Sequence, residues 1–191
     1  TENDEFRKQF EAWSALCERS NSTFALWTYT KNFSAYMLRA DVYGENAFFN
    51  ENAYQYFANA GVDLWFNQGA ANGTTTLSAF EKLNGYIDSQ MMWDSNQSVE
   101  DLIDKWFNAM YGSAASYMKL LYDGQNQKAR EAFGTTKKGI PSVGLTEIEM
   151  RKTLTNSVLQ TWFGYINSAK NALKKNAKRT QKMLRVAFSP R

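Results

Sequence analysis

Histidine is absent from this chain of 191 residues, and cysteine occurs once, at Cys17. A disulfide within the chain, Cys/His zinc sites and histidine-based catalytic dyads or triads are therefore excluded. Cys17 has no imidazole to activate its thiol. It falls in a helical apolar pattern with Phe6, Phe10, Trp13 and Leu16, which reads as core. No run of about eighteen apolar residues occurs, so no helix is expected to span a membrane. No signal peptide is visible, and Thr1-Glu2-Asn3-Asp4 does not read as a natural start. The chain is expected to be part of a longer protein.

Hydrophobic residues make up 43% of the chain, enough to drive folding. The net charge of +3 is unevenly placed: between Lys170 and Arg191 there are Lys and Arg but no Asp or Glu. Such a run suits an anionic surface, or simply the solvated face of a terminal helix. No stacked aromatic pattern accompanies it, which argues against nucleic acid.

Periodicity predicts helices over about 3–19, 47–60, 76–93, 99–111 and 114–133, and a long final helix from Glu147 to about Val186 capped by Thr146. Two short apolar runs interrupt the helices: Phe24 to Tyr29, and Val62 to Phe66 followed by Asn67-Gln68-Gly69. Each reads as a buried strand, and the second opens after Ala60-Gly61, a helix stop. Both end in aromatic, amide and hydroxyl groups. That is how parallel strands look when their carboxyl ends hold a site. An indole beside amides and phenols suits sugars, the ring covering C–H faces while the polar groups read hydroxyls. The candidate binding residues are Trp27, Tyr29, Asn32, Trp65, Asn67 and Gln68. Trp27, Tyr29 and Trp65 read equally well as core aromatics. Trp93 and Trp106 fall on helix faces and read as core.

Several patterns coincide in order and spacing: Leu26-Trp27-Thr28-Tyr29 with Asn32-Phe33, Gly61-Val62 leading to Asn67-Gln68-Gly69, Met92-Trp93-Asp94, Val99 to Asp104, and Tyr111 to Ala115. Together they resemble the C-terminal part of the bacterial domain-of-unknown-function 4838 family, over about residues 5 to 123. That family is similar to the glycosidase-like barrels of α-glucuronidases and hexosaminidases. The resemblance implies late strands of a (β/α)8 barrel, whose strand ends face the site, and an extracellular or cell-surface location. Asn67 stands where relatives often carry glutamate, and an amide can bind but cannot act as general acid or nucleophile. Ser95 stands where relatives often place proline, in a turn.

Most glycosidases need two carboxylates about 5 to 10 Å apart. Neither strand ends in Asp or Glu. Asp63, Asp41, Glu45 and Glu51 read as structural or solvated, and Asp101 and Asp104 as a solvated helix face. No catalytic residue, metal site or cofactor is assigned within the chain.

The expected fold is therefore α/β and predominantly helical: the last β/α units of a (β/α)8 TIM-like barrel over 1–133, then a C-terminal helical extension over 134–191. The expected role is part of a glycoside hydrolase-like protein that contributes sugar-binding residues but not the catalytic carboxylates. The expected partners are an oligo- or polysaccharide and the remainder of a larger parent chain. The alternative is a non-catalytic, mainly helical interaction module.

Overall fold

The computed structural model describes residues 2–29, 51–68, 80–134 and 154–187. The protein is predominantly helical with a small parallel sheet, in line with the expected class. It forms two compact units, Thr1–Val99 and Glu100–Arg191. The division expected after residue 133 falls inside the second unit, at the end of a helix.

The first unit runs α1 (Glu2–Ser20), β1 (Ala25–Tyr29), α2 (Glu51–Asn59), β2 (Leu64–Gln68) and α3 (Glu81–Trp93). Both helices that lead into strands end in the same way. After α1, the Ser22 N–H bonds the Cys17 carbonyl and the Asn21 N–H bonds that of Glu18, with Asn21 at φ 51°. After α2, Val62 bonds Phe57 and Gly61 bonds Ala58, with Gly61 at φ 77°. This left-handed stop satisfies the last carbonyls and turns the chain towards the sheet; asparagine and glycine are the residues that tolerate it.

The second strand begins two residues later than its apolar run suggests. Val62 is used by the helix stop. Asp63 then docks on the first strand: its carboxylate accepts from the Phe24 N–H at 2.8 Å, and its own N–H donates to the Phe24 carbonyl at 2.9 Å. Asn67 and Gln68 consequently lie within the strand rather than beyond it.

An aromatic cluster joins these elements. Phe10 of α1 meets Phe24, Tyr56 and Phe57 with ring centroids 5.1 to 5.4 Å apart, and Phe57 stands edge-on to Trp65 at 5.0 Å. Phe10 alone of the predicted α1 face is buried. Phe6, Trp13 and Leu16 are exposed, and Cys17 is half-buried. The geometric reason is that one ridge of the helix, at Phe10, meets the Phe24, Tyr56 and Phe57 rings. Phe80, just before α3, and Leu83, Ile87 and Met91 within it are buried as their spacing predicts. Trp93 is not core: at the last turn of α3 it is 91% exposed.

The second unit contains α4 (Val99–Tyr111) from its second residue onward, a 3-10 turn (Gly112–Ala114), α5 (Ala115–Gly134) and α6 (Asn156–Ala187). Helix α4 buries Leu102, Ile103, Trp106 and Phe107, the i, i+1, i+4, i+5 face of an amphipathic helix. Phe107 packs against Tyr111 and Tyr122 at 5.7 and 5.6 Å. Lys119 of α5 reaches back to the carboxylates of Glu100 and Asp104 on α4. Those two acids lie four positions apart on one face, close enough for a single ammonium to bridge them. Trp162 and Ala169 of α6 are buried.

The long final helix does not run unbroken from Glu147. Leu154 and Thr155 are not helical, and α6 begins at Asn156. The Thr155 hydroxyl accepts from the Val158 N–H at 3.4 Å, and its carbonyl accepts from Leu159 at 3.1 Å, so Thr155 takes the N-terminal capping place. Thr146 lies outside the described residues.

Candidate functional site

The two strands pair in parallel, with Leu26 opposite Trp65, Trp27 opposite Phe66, Thr28 opposite Asn67 and Tyr29 opposite Gln68. The register thus brings Trp27, Tyr29, Trp65, Asn67 and Gln68 into neighbouring rungs at the carboxyl end of the sheet. Asn32 lies outside the described residues, as do the side chains of Tyr29 and Gln68. Successive side chains of a strand point to opposite faces, and that parity divides the candidates.

One face is covered by α2. There Trp65 packs on Tyr54 and Phe57 at 5.3 and 5.0 Å. Its indole N–H donates to the Thr28 hydroxyl at 2.7 Å, and that hydroxyl donates to Oδ1 of Asn67 at 3.1 Å. Thr28 thereby links Trp65 and Asn67 across the strands, and it was not among the residues singled out from sequence. The Asn67 amide nitrogen is buried with no hydrogen-bond partner among the described residues.

The other face carries Trp27, Leu64 and Phe66, which are 62%, 62% and 56% exposed. The Trp27 and Phe66 rings stand edge to face, 5.1 Å apart at 89°. This arrangement fixes the indole against its neighbour while leaving much of the pair open to solvent.

Behind the covered face is a buried polar pair that sequence reasoning missed. The Tyr54 hydroxyl donates to Oδ1 of Asp88 at 2.5 Å, joining α2 to α3. Burial pushes the Asp88 carboxyl above the usual carboxylate range, and the hydrogen bond from Tyr54 opposes that rise in part. Burial first, and then the Asp88 charge, push the Tyr54 phenol up. The sequence signal was an acid placed beside the Leu83, Ile87 and Met91 stripe, where a solvated side chain does not belong.

Two hollows border this region. An open cleft of about 760 Å³ lies at the amino ends of the strands, its wall including Ser14, Cys17, Asn59, Asp63 and Leu64. A smaller one of about 190 Å³ is bounded by Tyr54, Trp65, Met91, Trp93 and Ser95. Among the described residues no group of three or more Cys, Asp or Glu is placed to hold a metal ion.

The family described as a domain of unknown function, DUF4838, matches residues 1–123. The chain belongs to the DUF4838 family. The match takes in the whole first unit, α4 and the first part of α5, and it agrees with the span of about 5 to 123 over which the sequence patterns coincide. Trp27, Thr28, Trp65 and Asn67 lie within the matched residues, whereas α6 lies outside them. No curated protein and no solved structure matches the chain. No helix among the described residues is long and apolar enough to cross a membrane.

Proposed function

We propose that this chain is part of a carbohydrate-active (β/α)8 protein, in which β1 and β2 are neighbouring strands and their carboxyl ends form part of a sugar-binding wall. The observation that carries this reading is the β1–α2–β2 unit itself. It is a parallel pair, covered by its helix on one face, with the Trp27–Phe66 pair exposed on the other. In a barrel of this type the helix-covered face is the outside and the opposite face looks inward.

Under this reading Trp27 supplies an apolar ring for the C–H face of a sugar, and the Tyr29–Gln68 rung supplies polar groups at the strand ends. Trp65 and Asn67 act from the covered face, fixing the register through Thr28. The chain contributes binding groups, and the acid and base of any hydrolysis belong to the rest of the parent protein.

Tryptophan fluorescence during titration with oligosaccharides tests the reading. A saturable change that is lost in Trp27→Ala and weakened in Gln68→Ala supports it. The absence of any response from a parent-length protein across neutral and acidic sugars would remove sugar binding, and the mainly helical interaction module would then take its place.

A further inference from the structure

The first part of helix α6 is packed, and the stretch that follows it is exposed as far as Lys178. Trp162 and Ala169 are buried, and the Ser113 hydroxyl donates to the Ala172 carbonyl at 3.4 Å. Beyond that point every residue from Leu173 to Lys178 is exposed, Leu173 at 48%, and the helix continues to Ala187. The segment from Leu173 to Ala187 is roughly four turns, about 22 Å long.

This segment carries Lys174, Lys175, Lys178, Arg179, Lys182 and Arg185, and α6 contains no acidic residue. The chain has 22 Lys and Arg and 19 Asp and Glu, so without these six the remainder has 16 against 19, a net charge of −3. The positive excess is thus local to one stretch of helix. At 3.6 residues per turn the six cations fall within an arc of about 140°, shared only with Val186. The remaining arc takes Leu173, Ala177, Met183, Leu184 and Ala187 with three neutral polar residues.

We propose that this segment lies on an anionic lipid surface, its apolar arc at the acyl boundary and its cations among the headgroups. A nucleic acid would use the basic arc alone and leave Leu173, Met183 and Leu184 in water. A bilayer interface accommodates both arcs of the same helix together, which is how a basic amphipathic helix binds in the plane of a membrane. This inference is independent of the sheet and of sugar binding.

The test is co-sedimentation of the full chain with vesicles of phosphatidylcholine alone or with a third phosphatidylglycerol, at low and at physiological salt. Binding is expected only to the anionic vesicles. K174E/K178E/K182E is expected to weaken it at least ~100-fold. L173S/L184S is expected to weaken it ~10-fold or more with every charge retained. Thermal unfolding followed by circular dichroism checks that both variants fold as the unaltered chain does. Failure to bind anionic vesicles overturns the proposal. So does binding that L173S/L184S leaves unchanged and that duplex DNA or heparin matches, since that is polyanion binding through charge alone.

Discussion

The hydroxyl of Tyr54 donates to Oδ1 of Asp88 at 2.5 Å in a place where Tyr54 is 0% and Asp88 8% exposed. The bond ties the helix between the two strands to the helix that follows them. Tyr54→Phe keeps the ring against Trp65 but leaves a buried carboxyl oxygen without its donor. A cost of about 1–3 kcal/mol is expected, read as a lower urea midpoint at unchanged slope. A midpoint equal to that of the unaltered protein would show that another donor, or water, serves Asp88.

The same pair sets a pH dependence of known sign. Burial raises the folded-state value of Asp88 above that of the unfolded chain. Below the ordinary aspartate range both states hold the proton and the contribution to stability is complete. As pH rises through the raised value the buried carboxyl has to ionise, and that contribution is lost. Asp88→Asn keeps an acceptor for Tyr54 and removes the titration. The stability of the native protein relative to D88N is therefore expected to fall as pH rises from about 4, the ordinary aspartate value, upward. Urea unfolding of both proteins across that range measures it, and a constant gap would contradict the assignment.

Thr28 is the hinge of the cross-strand chain, since it accepts from Trp65 and donates to Asn67. Thr28→Val preserves shape and strand preference but strands an indole N–H and an amide oxygen together. A loss of about 2–4 kcal/mol is expected from two unmet polar groups. Trp65→Phe removes the donor and part of the ring while keeping an aromatic group near Tyr54 and Phe57, and about 2–3 kcal/mol is expected. The double variant should lose less than the sum, because both changes delete one shared bond. Additive losses would mean that the 2.7 Å contact contributes little.

Much of the element order was legible in the sequence. The expected α4 range agrees with the structure, because its apolar face repeats at helical spacing and a glycine follows it. Gly61 announced the stop before β2. Strand parity was not legible: Ala-Leu-Trp-Thr-Tyr and Leu-Trp-Phe-Asn-Gln place apolar residues on both faces, so no alternation says which ring meets the helix. The register resolves it, placing Trp27 and Phe66 opposite each other and Trp65 behind, against Tyr54. The start of α6 was hidden for a related reason. Neither glycine nor proline marks Leu154-Thr155, and the only local signal is a threonine whose capping place depends on the break already being there. Asp88 was legible in principle as an acid beside a core stripe, but the partner that justifies it, Tyr54, is 34 positions away.

Gly124 lies where α5 meets α6, and a methyl group built on it would stand 2.8 Å from Nε1 of Trp162. Trp162 is 8% exposed, so its indole has little room to yield. In an open helix, Gly→Ala stabilises by up to about 1 kcal/mol through backbone entropy. Here the close approach should reverse the sign, with Gly124→Ala costing about 1–3 kcal/mol as the indole is pushed off its seat. Trp162→Leu removes the obstructing ring at its own cavity cost, and Gly124→Ala placed on that background should then stabilise rather than destabilise. Thermal unfolding of the four proteins in the cycle decides the matter. If Gly124→Ala stabilises on both backgrounds, the glycine serves no packing role between the two helices.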